Sequence, residues 1–210
     1  FKAYCLILLT LSAVTFLYLF LSGYYASSSE GLRKAVFHAV SIATTTGYVT
    51  DSFALWPGGL PVLLLFASFI GGCAGSTASG MKVVRWLLMY KQGAREFQRL
   101  VHPSAEIAVK LGGRVVHPRV VDAVWGFFAV YVTVFAVLML VMLATGLDQA
   151  SAFAAVAASL NNLGTGLGDV AVSYASVTAV GKWAAVCAML LGRLEIFALL
   201  VLVTPSFWRS

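Results

Sequence analysis

Two short stretches could do chemistry through their main chains. Thr44, Thr45, Thr46, Gly47 and Tyr48 are β-branched hydroxyl residues running into a glycine, and Asn161, Asn162, Leu163 and Gly164 form a second polar run that ends the same way. Both are poor helix sequence, so both predict irregular backbone. Such backbone offers carbonyls and hydroxyls as neutral oxygen ligands, and Gly47 permits the angles that aim successive carbonyls along one axis. Neutral oxygens replace the water shell of a weakly hydrated monovalent cation, whereas Mg²⁺ keeps its waters and wants carboxylates. No carboxylate lies within residues 44–49 or 161–168. Asp51 and Asp169 follow the two loops directly, either concentrating cations at an outer mouth or standing as ordinary solvated acids.

A third stretch, residues 71–80, consists of small residues, among them Gly71, Gly72, Gly75, Ser76, Thr77 and Gly80. Each glycine costs a helix roughly 1 kcal/mol relative to alanine, so the stretch either unwinds or serves as a tight helix-packing face. Arg193 lies inside the last apolar segment, where a central arginine costs about 2.5–3.5 kcal/mol and needs partners. Glu195, two residues on, points to another helix face. The unwound carbonyls of residues 71–80 suit the guanidinium better. Lys82, at the end of that stretch, reads as an interfacial anchor. Ser76 and Ser79 in a glycine-rich membrane segment, with His38 elsewhere, raise an intramembrane serine protease as a rival. Nucleophile and base must then come within about 3 Å, and His38 belongs to the opposite half of the membrane. A non-conducting scaffold is the third reading, and it leaves two glycine-bearing loops without a purpose.

What must position these residues follows from composition. The 210-residue chain is 60% hydrophobic and 10% charged, with mean hydropathy +0.92. Soluble domains carry about 25% charged residues, so the solvent here is lipid. Residues 3–29, 52–81 and 123–147 are free of charge, each run exceeding the roughly 20 residues that span a bilayer. The net charge of +6 is concentrated between Lys82 and Arg119, where eight basic residues face only Glu96 and Glu106. A short basic loop marks the cytoplasmic side, and the nearly neutral stretches 24–59 and 147–182 then face outside. Cys5, Cys73 and Cys187 have no paired spacing and read as small hydrophobes. The chain opens on Phe1, which reads as a fragment or processed product, and its first apolar run is too long for a signal peptide.

The elements fall into an order that occurs twice. A long helix over residues 3–23 leads to a capping-box pattern, Ser27 to Glu30, that starts a helix over 30–43. That helix is too short to cross about 30 Å of hydrocarbon, so it enters the membrane and stops. Its C-terminal end carries partial negative charge and favours a cation. The loop at 44–51 and a turn at Trp56-Pro57-Gly58-Gly59 lead into a long returning segment over 60–90. A helix over 120–145, a short segment over 148–160, the loop at 161–168 and a last helix over 180–208 repeat the plan. Three parts are expected: a pore unit over 1–90, a cytoplasmic basic loop over 91–119 and a second pore unit over 120–210. Repeated units of this kind share a site at their interface.

Four stretches, in order, resemble the Trk/Ktr/HKT superfamily of potassium transporters, and its bacterial TrkH branch in particular. They are Thr44-Thr45-Thr46-Gly47-Tyr48; Gly71-Gly72-Cys73-Ala74-Gly75-Ser76-Thr77; Asn161-Asn162-Leu163-Gly164; and Gly192-Arg193-Leu194-Glu195-Ile196-Phe197 running on to Trp208-Arg209. The resemblance implies an all-α integral membrane protein. Its two units, each a helix, a re-entrant pore helix with filter loop and a second helix, form the second half of a four-unit pseudo-tetrameric pore. It implies potassium held by the backbone carbonyls of Thr45, Thr46, Asn162 and Leu163, no other cofactor, and a gate in which residues 71–80 and Arg193 obstruct the cytoplasmic half. It also implies a homodimer in the bacterial inner membrane that docks a TrkA-like nucleotide-binding ring. Ala78 and Ser79 stand where the family pattern has glycines, and Thr165 where it has proline.

Overall fold

The computed structural model describes residues 1–73, 75–102, 107–194 and 196. Helix α1 (Lys2–Leu21) is an unbroken apolar run, about 30 Å long at 1.5 Å per residue. It stops where Gly23 takes φ +62° and lets the amides of Gly23 and Tyr24 fold back on Phe20 and Leu19. Helix α2 (Ser28–Ala43) follows, starting two residues earlier than the sequence predicts. The expected capping box does not form. Ser27 Oγ meets Ser29 Oγ at 2.9 Å, and Glu30 instead turns along the helix to Lys34 at 3.3 Å.

The returning segment is two helices. Apolar α3 (Leu60–Ser68) ends at the glycine-rich stretch, and α4 (Val83–Val101) resumes after it. Helix α4 runs well past residue 90, through the stretch expected to be a loop, because residues 91–101 hold no proline and alternate apolar and charged side chains at helical spacing. Strands β1 (Lys110–Leu111) and β2 (Arg114–Val115) pair antiparallel around Gly112 and Gly113, a small hairpin that the all-α expectation does not contain.

Helix α5 (Pro118–Ala144) is the second element long and apolar enough to cross a membrane, alongside α1. Asp148 caps α6 (Gln149–Leu160) by accepting from the amides of Ala150 and Ser151 at 3.0 and 3.3 Å. The Ser151 side chain first, and then these amides, hold its carboxyl below the usual range. Ala152, Ala154, Ala155, Ala157 and Ala158 are all buried, so α6 is surrounded by protein on nearly every side. Helix α7 (Ala179–Arg193) ends the described fold, and only Ile196 is described beyond residue 194. Arg193 is the last residue of α7, capped by Leu194, and the part of the expected helix over 180–208 that follows lies, Ile196 apart, outside the described residues. Residue 74 and the motif residues Glu195 and 197–209 lie outside the described residues.

The core runs between the two repeated units. α1 packs on α2, α6 on α5 and α7, and α3 on both short helices. Phe66 and Phe69 from the first unit stack with Phe135 and Phe153 from the second at ring separations of 5.4–6.5 Å.

Candidate ion-pathway site

Both short helices end in the same backbone turn. Thr44 and Asn161 close them with φ near −85° and ψ 0°. Thr45 and Asn162 then take φ +55° and +51°. The amides of these two residues return to Ile42 and Ser159 at 3.0 Å, and those of Thr46 and Leu163 reach back five residues to Ser41 and Ala158 at 2.8 Å. Gly47 and Gly164 follow at φ +79° and +90°. This is the Schellman closure, normally built on glycine at the left-handed position. A left-handed conformation costs an L-residue about 1–2 kcal/mol, and β-branched Thr45 is a pronounced exception. The surrounding structure holds the strain: Ser41 Oγ donates to the Tyr48 carbonyl at 2.6 Å, and the Thr44 and Thr46 hydroxyls meet at 2.7 Å.

The two loops touch. A Cβ on Gly47 would collide with the Leu163 carbonyl oxygen, whereas one on Gly164 would meet open space. Beside them lies a cavity of about 510 Å³ lined by Thr44, Thr45, Thr46 and Asn162, and also by Gly72, Cys73, Ser76, Thr77, Ala78 and Arg193. Both loops thus open onto one space together with the broken stretch and the arginine.

That stretch leaves the helix path and returns to it. The Met81 amide donates to the Phe69 carbonyl and that of Val83 to the Gly72 carbonyl, each at 3.1 Å, closing a neck. Gly71 and Gly80 pack backbone to backbone across it at φ +65° and +83°, and a Cβ on Gly71 would strike the Ser79 carbonyl. Gly75, Ser76 and Thr77 form an exposed tip. Two cations hold the carbonyls: Arg193 Nη1 donates to Thr77 O at 2.7 Å, and Lys82 Nζ donates to Ser76 O at 2.6 Å and to Ala78 O.

Several sequence-based readings change at this point. Arg193 is exposed, not buried, because the end of α7 projects into the open cavity. Lys82, read from the sequence as an interfacial anchor, takes φ +64° and folds its ammonium back over the loop. Asn161 turns its fully buried side chain away from the cavity, accepting from Tyr131 Oη at 2.7 Å and donating to Ser68 Oγ at 2.8 Å. It ties α6 to α5 and α3. The Leu163 side chain is buried, Tyr48 is 74% exposed, and Asn162 Nδ2 donates to the Met189 carbonyl at 3.1 Å. Thr165 fits poorly, its hydroxyl oxygen shut off from solvent without a partner among the described residues.

Asp51 is spent on structure. Its carboxylate accepts from Tyr25 Oη at 2.6 Å, from Lys34 Nζ at 2.9 Å and from the Ser52 amide at 2.8 Å. These bonds lower its pKa to about 2. Burial, and then the bond to Asp51, push the Tyr25 phenol up to about 12. Trp56 Nε1 completes the network, donating to Tyr25 Oη at 3.1 Å. Asp169 is exposed and its carboxylate has no partner among the described residues. The only signal for Asp51 in the sequence is the distant basic residue Lys34, which spacing alone does not bring near.

Comparison with known proteins decides the family. The family described as TrkH, cation transport protein, matches residues 4–210. The chain belongs to the TrkH family. It is 56% identical, over its whole length, to the Trk system potassium uptake protein TrkH of Vibrio parahaemolyticus and covers 43% of that protein. It is 53% identical to the TrkH of Escherichia coli K12, again over its whole length and 44% of the relative. To the TrkG of the same strain it is 41% identical over 83% of this chain and 36% of that one. A solved structure of the potassium transporter TrkH from Vibrio parahaemolyticus superposes with a TM-score of 0.93, covering 99% of this chain and 44% of that chain. The chain therefore spans less than half the length of the relatives it matches. Those relatives are potassium uptake proteins rather than enzymes, and His38 faces backbone carbonyls, not a serine. Among the described residues no group of His, Cys, Asp and Glu is arranged to hold a metal.

Proposed function

We propose that this chain supplies two of the four filter-bearing units of a potassium-conducting membrane subunit. The observation that carries the reading is the pair of identical turns at the ends of α2 and α6, which abut at Gly47 and Leu163 and share one cavity. The backbone carbonyls of Thr45, Thr46, Asn162 and Leu163 are the ligands for K⁺, with Thr44, Gly47, Tyr48, Asn161 and Gly164 shaping the two loops. Each helix directs its C-terminal end, with its partial negative charge, toward the loop. Two units cannot ring a pore, so the remaining units come from the rest of a longer subunit, as the coverage of the relatives also suggests.

The loop at 71–80 is the gate in this reading, its glycine neck a hinge and its tip held by Arg193 and Lys82. The positive charges stand in the path of a cation and hold the obstruction at once. The basic face of α4 and the hairpin lie toward the cytoplasm of a bacterial cell, where a TrkA-like nucleotide-binding subunit docks. Subunits pair as homodimers in the inner membrane. The names of the relatives as Trk system components support the docking of such a partner subunit.

Cation flux through the full-length subunit in liposomes tests the reading: K⁺ is expected to pass in preference to Na⁺, and a well-folded protein that moves neither would refute it. A cysteine placed at Gln98 tests the orientation. A thiol reagent confined to the outside should fail to reach it, and labelling would invert the topology.

A further inference from the structure

We infer that His38 is a positioning residue of the first filter loop, an imidazole whose second proton completes a bridge between the pore helix and the segment that leaves the filter. The inference rests on the reading of residues 44–48 as a filter.

His38 lies on α2 with none of its surface exposed. Its Nδ1 is 2.8 Å from the carbonyl oxygen of Lys34, and its Nε2 is 3.2 Å from the carbonyl oxygen of Asp51. Both facing atoms are carbonyl oxygens, which only accept. A neutral imidazole carries one N–H, so in that state one of the two contacts sets a nitrogen lone pair against an oxygen lone pair. The imidazolium donates both ways and satisfies the geometry in full.

Aromatic rings enclose the imidazole, Trp56 at 4.9 Å between ring centres and Phe37 and Phe53 at 5.7 and 6.2 Å. The charged and titratable groups of this region are Glu30, the exposed Arg33 and Lys34 on α2 itself, Tyr25 from the turn before it, and Asp51 from the outgoing segment. Lys34 is linked to both acids and Tyr25 to Asp51. Two carboxylates against two basic groups leave the region neutral, so the two facing carbonyl oxygens are what favour the second proton.

The bridge matters because of what hangs from it. The loop leaves α2 at Thr44 and is caught again at Tyr48 by Ser41 Oγ and at Asp51 by His38. Loss of the second proton turns one attraction into a repulsion and releases the farther of the two catches. Carbonyl positions between them then relax, and discrimination between K⁺ and Na⁺ depends on those positions. In the second unit, aligned on Gly47 and Gly164, the counterpart of His38 is Ala155. There Tyr174 Oη does the bridging, donating to the Ala155 carbonyl at 3.1 Å and meeting Ser159 Oγ at 3.2 Å. That device carries no group that titrates near neutrality, so proton sensitivity belongs to the first filter alone.

The test is the K⁺/Na⁺ permeability ratio of the full-length protein in liposomes as the outside solution is varied between about pH 5 and 8, the window in which histidine changes charge. The wild type is expected to lose discrimination several-fold on going alkaline, and His38→Gln, whose amide donates at every pH, to show a flat profile. His38→Ala should discriminate poorly throughout. If wild type and His38→Gln share one pH profile, the inference is overturned while the filter reading stands. A wild type that passes no cation at any pH refutes the filter reading itself. Should the variants not fold, nitrogen NMR of histidine-labelled wild type decides: two protonated ring nitrogens are expected at the acidic end, and a single neutral tautomer across the whole window overturns the proposal.

Discussion

Residues 41–47 and 158–164 follow one backbone path, but the loops they open are braced by different chemistry. The first is held by an ionic and aromatic network running from Lys34 through Asp51 and Tyr25 to Trp56. The second is held by neutral groups: the Tyr131–Asn161–Ser68 chain on one side, and Tyr174, Ser159 and Ser151 on the other. The shared feature is the course of the main chain, down to the residues at positive φ, while the side chains that enforce it are unrelated. A loop whose carbonyls do the work constrains its own dihedrals and leaves its supports free to differ.

The largest effect separating the two loops is expected at their glycines. Gly47→Ser puts a Cβ both at φ +79° and into the Leu163 carbonyl, whereas Gly164→Ser meets strain alone. Strain of about 1–2 kcal/mol is common to both, and the collision adds to the first. Potassium uptake by the full-length protein should fall about tenfold or more for Gly47→Ser, since about 1.4 kcal/mol is a factor of ten, and less for Gly164→Ser. Equal losses would mean that the contact between the loops carries no weight.

The braces come next. Asn161→Ala strands the buried hydroxyl of Tyr131 and removes the donor to Ser68, whose own bond to the Leu65 carbonyl remains, and should cost about 2–3 kcal/mol of stability. Ser41→Ala, in the first unit, removes one bond to the partly exposed carbonyl of Tyr48 and should cost about 1 kcal/mol. Denaturation midpoints in detergent compare them, and a larger shift for Ser41→Ala would reverse the contrast drawn between the units.

Cation latches cross between the units, since Arg193 of the second holds Thr77 of the first. Arg193→Ala should raise basal flux per folded protein a few-fold. Lys82→Gly, which keeps the left-handed angle but deletes the ammonium, should act in the same direction. A folded Arg193→Ala protein with wild-type or lower flux would sink the latch.

The smallest effect is a pH limb peculiar to the first unit. Folding lowers the pKa of Asp51 from 3.8 to about 2, so its contribution is complete above 3.8 and is lost as pH falls toward 2. Tyr25, raised from 10 to about 12, contributes fully below 10 and loses that contribution as pH rises through 12. Asp51→Asn should flatten the acid limb of stability, leaving only the shallower part due to the Asp148 cap. An unchanged acid limb would show the network to be energetically idle.

Much of the architecture is legible in the sequence, and the reason differs from part to part. Apolar runs longer than a bilayer identify α1 and α5, and the Gly71 to Gly80 composition announces the break between α3 and α4. Composition hides α4's extension beyond residue 90, since the apolar run ends there while the helical spacing of side chains continues. In the site, Gly47 and Gly164 are visible because only glycine tolerates their angles comfortably. Thr45 and Asn162 are left-handed in spite of their side chains, and no local rule reveals that. The partners of Asn161 and Asp51 are not legible: each residue stands beside a loop, yet its partner lies on another helix, thirty residues away for Tyr131 and seventeen for Lys34.

The pinned neck of the loop at 71–80 has a bearing on speed. With Phe69 tied to Met81 and Gly72 to Val83, the stretch between is a closed loop of about ten residues, and chains of that length sample their conformations in about 10–100 ns. On the proposed reading of this loop as the gate, its own diffusion is not the slow event, and the tempo of opening follows how long the Arg193 and Lys82 contacts survive, an electrostatic dwell rather than a motion of helices.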